Sequence, residues 1–459
     1  MTGQVVGRQV FSVVLGAIVA LLVVWLEPFN LDDGTAGSIH SVWGRVSAFG
    51  YPTEKSPKTA VVLIHDKYLT DVGVSWPIPL ADPTGEAPVT HGDIVASLVD
   101  LKPKAIFLGF KYVADRDPAQ TAAFAALLKE KAQTTPIYIA ANTDANLPIP
   151  ALPELSRLAG AEAPDLKFVS VARGKQWGET FAYPIWSEAE QRFTAAAQMH
   201  RDLCGERAGC RMDRSALPLD PQWSVPSDSQ PKAAVADVSF NCDQLRDAHP
   251  EEHEKTCVDI EKSAPARLLS EALRQTPFGP KGPVLTTHVP IITLDMLGQE
   301  RVQADIRDAV VFVGSNLGID DTAVSPLQGT VPVAVLHAMA YDNLAVLGQA
   351  YVRAAPPMGV ASWIYQGLVV LVVAVFVLGA RVWVILASAG RDVATVATRL
   401  KLAELGAQVG VLTLWLVIDI LVFHSGPWVW GGIFVALLSG SVIRSIDPAM
   451  LAGWRKGKG

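Results

Sequence analysis

The residues able to do chemistry fall into a few groups. His65, Asp66, Lys111, Asn142, Asp144, Ser315, Asn316 and Asp320 each follow a short apolar run. If those runs are parallel strands, these residues gather outside the carboxyl edge of a sheet. Ligands collect at that edge, so the set would line a small-molecule crevice carrying both charge signs. The same residue types also suit turns and helix caps, which is the competing explanation. His249-Pro250-Glu251-Glu252-His253 spells H-x-x-E-H, an inverted zincin pattern. Zinc chemistry would need both imidazoles on one helical face, a third ligand and a shaped cleft. The pentapeptide lies instead in a charged stretch between two cysteines, so a solvated turn is expected there and no metal. Gly314-Ser315-Asn316-Leu317-Gly318 has the spacing of neither a nucleophile elbow nor a phosphate loop. No catalytic triad is legible, and His337, on a helical pattern, reads as a hydrogen-bonded structural histidine. The expectation is a protein with no catalytic residue and no cofactor.

The four cysteines, Cys204, Cys210, Cys242 and Cys257, all lie in a polar stretch over about 195–262 that is rich in Asp, Arg and Pro. This stretch reads as an insertion. In an oxidising compartment two disulfides are expected, and local pairing, Cys204–Cys210 with Cys242–Cys257, is the favoured one of three connectivities. A metal site including His249 and His253 is the alternative.

Elements able to position these groups can be read from hydrophobic periodicity. Six apolar or β-branched runs look like buried strands: Thr59–His65, Ala105–Phe110, Pro136–Ala141, Lys167–Val171, Val289–Leu294 and Ala309–Gly314. Thr90 with Asp93 makes a capping-box start to a helix carrying Ile94, Val95, Leu98 and Leu101. Asp117-Pro118 is an N-cap followed by proline at the first helical position. A further helix is predicted over Val333–Leu347. Strands alternating with helices imply an α/β domain with a largely parallel sheet and flanking helices.

Composition adds a second component. Of 459 residues 50% are apolar and only 18% charged, against about 25% charged in an ordinary soluble domain. The net charge of −7 argues against nucleic acid as a partner. Apolar runs at Val10–Leu26, Met358–Ala380, Ala403–Phe423 and Pro427–Ile443 predict four transmembrane α-helices, one N-terminal and three C-terminal. A cleaved signal peptide is the rival reading of the first run, with Thr35-Ala36-Gly37 a weak cleavage site. Lys and Arg crowd segments 1–9, 381–402 and 444–459, which places both termini in the cytoplasm of a bacterial inner-membrane protein and a large domain in the periplasm. On that layout the chain divides into a stub and anchor (1–29), an exterior domain (30–357), a three-helix region (358–443) and a basic tail (444–459). Asp419 would then be an intramembrane carboxylate, a functional candidate by default. The small residues Gly406, Gly410, Gly432, Ala436 and Gly440, at four-residue spacing, would allow close helix contact within the chain or with another subunit.

Several segments together resemble a known family. Ala60–Asp66, then Trp76-Pro77-Ile78-Pro79 and Lys104–Tyr112, are similar to the opening of the type-2 CHASE (cyclase/histidine-kinase-associated sensory extracellular) domain. Val310–Gly314, Asp320, Ser325-Pro326-Leu327 and His337–Leu344 resemble its closing part. Leu80 stands where that family's turn ends in Arg, and Gly109 where its second strand carries Asp. The resemblance implies a non-enzymatic membrane sensor or signalling subunit whose periplasmic domain binds a ligand or protein. Such a subunit would act through a separate membrane or periplasmic protein partner, or as a homo-oligomer. The alternatives are a structural or docking subunit of a cell-envelope complex and, remotely, a periplasmic zinc hydrolase.

Overall fold

The computed structural model describes residues 50–112, 117–141, 163–174, 176–177, 180–205, 210–224, 287–317, 322–325, 329–354 and 360–387, with isolated positions at 44–48 and 399–414. The chain divides into two compact units, Ser41–Val352 and a second made of Met1–His40 with Arg353–Gly459.

The larger unit is built on a six-stranded parallel sheet. Its strands are β1 (Thr59–His65), β2 (Ala105–Leu108), β3 (Ile137–Ala140), β4 (Leu166–Val169), β5 (Ile291–Thr293) and β6 (Val310–Asn316). The order across the sheet is β4-β3-β2-β6-β1-β5, and each neighbouring pair is parallel. Continuous apolar strands are what a parallel sheet covered on both faces requires. β1 through Ile64, β2 and β3 are accordingly buried along their whole length.

Alternation along each strand divides the core into two layers. Val61, Leu63, Phe107, Tyr138 and Phe312 point to the face covered by helices α4 (Ala195–Cys204) and α6 (Val333–Leu347). Val62, Ile64, Ile106, Leu108, Ile139 and Val311 face the opposite layer. That layer holds α1 (Asp66–Asp71), α2 (His91–Asp100), α3 (Pro118–Ala132) and α5 (Glu300–Ile306). Local chemistry starts these helices. The Thr90 hydroxyl accepts from the Asp93 N–H at 3.0 Å while the Asp93 carboxylate accepts from the Thr90 N–H at 2.9 Å, closing the capping box of α2. Asp117 caps α3 ahead of Pro118.

Three sequence expectations are refined here. Within the stretch read as an insertion, Ala195, Ala196, Ala197, Met199 and Trp223 belong to the buried core, while 206–209 and 225–262 lie outside the described residues. Leu80 is fully buried in the α2–α3 layer, where an arginine head could not be solvated. Gly109 cannot be replaced by aspartate without movement. Its N–H donates to the Val313 carbonyl at 2.8 Å, and an added Cβ would lie 2.9 Å from that same oxygen.

The smaller unit contains α7 (Val360–Ala387), whose described side chains begin at Leu371 and include Arg381. Among the described residues no helix is long and apolar enough to cross a membrane. This overturns the four-transmembrane-helix reading. With it go the lipid bilayer as a partner, the multi-pass inner-membrane localisation and the periplasmic and cytoplasmic assignments built on it. The physical reason is that a span needs about 20 uninterrupted apolar helical residues, a continuity that the mean hydropathy of a run does not by itself establish. Runs 10–26 and 427–443, together with Asp419, Gly432, Ala436 and Gly440, lie outside the described residues. Gly406 and Gly410 are described, and a Cβ added at either would meet no other described atom within 4 Å.

Candidate functional site

The carboxyl edge of the sheet realises part of the expected crevice. His65 and Asn316 are register partners at the ends of β1 and β6, with Ser315 one step behind, opposite Ile64. His65 is occupied as a cap, its Nδ1 accepting the Lys67 N–H at 3.0 Å at the start of α1. Asp66 is the first residue of that helix and exposed, and Lys111 is exposed three residues beyond β2. Asn142, Asp144 and Asp320 lie outside the described residues.

On the other face the tertiary structure assembles a polar cluster from distant parts of the chain. The Ser224 hydroxyl hydrogen-bonds His288 Nδ1, and His288 Nε2 faces Asp342 Oδ1 at 3.5 Å. The Tyr51 hydroxyl donates to Asp342 Oδ2 at 2.5 Å and the Ser56 hydroxyl to the same oxygen at 3.2 Å. Asn343 Nδ2 donates to the Gln222 carbonyl at 2.9 Å, and the Gln222 N–H returns to Asn343 Oδ1 at 2.6 Å. Burial, followed by the adjacent Asp342 charge, pushes the Tyr51 phenol far above its ordinary range, so it stays a donor. The serine–histidine–aspartate order is that of a catalytic triad. Ser224 and Asp342 are fully enclosed, however, which makes the cluster a core fastening and not a surface where a substrate could meet the hydroxyl. Sequence reading missed it because Ser224 and His288 stand 64 residues apart with no spacing signal between them.

His337 is also a core residue. Its Nδ1 shares a 2.7 Å hydrogen bond with the Tyr183 hydroxyl, and Phe107 packs edge-on against the ring. Burial, with a smaller contribution from Arg173, lowers its pKa to about 3 and keeps it neutral.

The donor set with reactive potential lies at the end of α4. His200 and Cys204, one helical turn apart on that helix, are joined by Cys210; one ligand atom from each lies within 4.8 Å of the others. His200 and Cys210 are buried and Cys204 half-buried. Gly205, at φ +81°, ends the helix with a backbone turn that residues bearing a Cβ seldom adopt. Cys204 and Cys210 form a disulfide with 5.6 Å between Cα atoms, the local pairing expected. Cys242, Cys257, His249 and His253 lie outside the described residues. Beside this disulfide, Arg201, Arg211 and Arg214 line an open pocket of about 580 Å³.

No family model, no curated protein and no solved structure matches the chain. The resemblance to the type-2 CHASE domain is therefore unsupported, since the segments that suggested it are strand, turn and helix patterns common to parallel α/β sheets. The sensor reading falls with it. The expectation of a purely non-enzymatic protein is corrected too: a His/Cys/Cys set of metal-ligand type is present, which favours the metal-dependent alternative, although through residues other than the H-x-x-E-H stretch.

Proposed function

We propose that the protein binds a thiophilic divalent metal ion, zinc in the first instance, through His200, Cys204 and Cys210 when the two cysteines are thiols. The observation that carries this reading is the convergence of one imidazole and two sulfurs within 4.8 Å. Imidazole and thiolate are the donors zinc prefers, and three protein ligands leave a fourth position open for water. A water held there would ionise near neutral pH, which is hydrolytic chemistry. The disulfide uses the same two sulfurs, so disulfide and metal exclude each other; two electrons and two protons convert the bridge into the dithiol that can ligate.

The test is zinc stoichiometry of the full chain before and after anaerobic reduction with a phosphine, with thiols counted in parallel. The reading predicts about one additional zinc per chain on reduction. It also predicts at least a tenfold loss of that affinity in His200→Gln and Cys204→Ser, while a His249→Gln/His253→Gln variant keeps it. Reduced protein with all four thiols titratable and no added zinc would sink the idea, as would zinc uptake indifferent to His200.

A further inference from the structure

The pocket beside α4 has a composition that the metal reading does not use. A two-stranded hairpin pairs Trp186 with Phe193, and their rings meet edge-to-face at 4.9 Å. Each ring carries a guanidinium: Arg201 lies 4.2 Å from the Phe193 centroid and Arg214 lies 4.7 Å from that of Trp186. Stacking on an aromatic face fixes a guanidinium without neutralising it; Arg201 Nη1 donates to Gln198 Oε1 at 3.5 Å, which leaves the rest of its N–H edge for a ligand. Arg211, just past the disulfide, supplies a third cation, and its own carbonyl is tied to the Gln349 side chain at 2.9 Å.

Negative charge in the pocket is sparse. Asp213 is the one carboxylate among the lining residues. It accepts the Ser215 N–H at 3.0 Å, and that hydrogen bond, more than the nearby Arg214, holds its pKa below the usual range. Three arginines against one aspartate leave an excess of two positive charges. Among the described residues, none of the three forms a carboxylate ion pair within 4 Å. The pocket is open to solvent, with a volume of about 580 Å³, enough for a small-molecule head group.

We propose that this pocket binds a phosphate monoester, its dianionic head held by the N–H edges of Arg201, Arg211 and Arg214. Planar guanidinium forks match phosphate oxygens in pairs, and a dianion balances the excess charge. The inference is independent of the metal reading, because none of the three metal-ligand candidates lines the pocket.

The native, oxidised full chain is titrated calorimetrically with phenyl phosphate and, separately, with phenol. Guanidine groups are then modified with phenylglyoxal with and without phenyl phosphate, and the labelled arginines located by mass spectrometry. Saturable binding of phenyl phosphate but not phenol is expected, weakening several-fold between 50 and 200 mM salt, with protection concentrated at Arg201, Arg211 and Arg214. An Arg201→Gln/Arg214→Gln variant that retains the native circular dichroism spectrum should bind at least tenfold more weakly. Phosphatidic acid vesicles that bind the chain while phenyl phosphate does not would overturn the free-ligand proposal in favour of a lipid headgroup. Absence of binding, or protection scattered over other arginines, would overturn it outright.

Discussion

His288 Nε2 and Asp342 Oδ1 face each other at 3.5 Å inside the protein, the aspartate fully buried and the histidine nearly so. Asp342 is the point at which helix α6 is fastened to the segment preceding β1, through Tyr51 and Ser56. The two hydroxyls satisfy Asp342 Oδ2, while Oδ1 has no hydrogen bond and only the 3.5 Å approach of His288 Nε2; a buried hydroxyl that lost its acceptor would cost the desolvation of the group left behind.

Replacing Asp342 by Ala should therefore destabilise the protein by about 3 kcal/mol or more, because the buried Tyr51 hydroxyl and the Ser56 hydroxyl lose their acceptor together. Tyr51→Phe should cost about 1–2 kcal/mol. Urea denaturation of both single variants and the double would reveal the link: the double should lose clearly less than the two singles added. Strict additivity would show that Asp342 and Tyr51 are not coupled.

Acid should unfold the larger unit partly through His337. Its folded pKa, about 3, lies below the ordinary value of 6.5, so the unfolded chain takes up the proton first as pH falls. The contribution is complete above pH 6.5 and declines as pH drops towards 3, at up to about 1.4 kcal/mol per pH unit. In stability measurements between pH 7 and 4, a folded His337→Gln variant should lose about one proton's worth of that slope. A slope unchanged in the variant would refute the assignment.

Gly314 is a packing position. A Cβ there would lie 2.6 Å from the Ala334 Cβ, where β6 meets α6. Gly314→Ala should cost about 1–3 kcal/mol, as overpacking of a close-packed core does, and Gly314→Val more. The matching change Ala334→Gly should recover part of the loss, and chemical denaturation of the pair would show whether it does.

Opening the Cys204–Cys210 bridge by Cys→Ser substitution should lower stability by about 2 kcal/mol, the chain-entropy value for so short a loop. Thermal melting of a Cys242→Ser/Cys257→Ser variant, oxidised and then phosphine-reduced, should show the same drop. Under the metal reading, zinc restores the melting temperature of the reduced wild type but not that of Cys204→Ser or Cys210→Ser.

How much of this was legible in the sequence depends on the range of the interaction. Every run read as a strand entered the six-stranded sheet; Thr59–His65 keeps its expected ends, and no end of the others differs by more than about two residues. The capping box at Thr90 and Asp93, the Asp117-Pro118 start and the helix over Val333–Leu347 were set by neighbours within a few positions. The Cys204–Cys210 pair was legible for the same reason. The apolar runs were read as spans on hydropathy alone, which does not establish the unbroken apolar helix that a span requires, and among the described residues no such helix is present. The resemblance failed similarly: short strand and turn patterns recur wherever a parallel sheet is buried on both faces.

The candidate sites divide along the same line. His200 and Cys204 sit one turn apart on a helix, a spacing visible in the sequence, yet a lone pair of donors has no meaning until Cys210 returns beside them. The two arginines stacked on Trp186 and Phe193 come from α4 and from the segment beyond the disulfide, and no periodicity relates them. By itself the sequence determined the alternating elements, the helix starts and the local disulfide, because these depend on chemistry a few residues apart. Only the tertiary structure brought Ser224, His288 and Asp342 together, made Leu80 core and gathered three arginines around one pocket. Those outcomes depend on which surfaces the folded chain encloses together, and residue spacing carries no record of that.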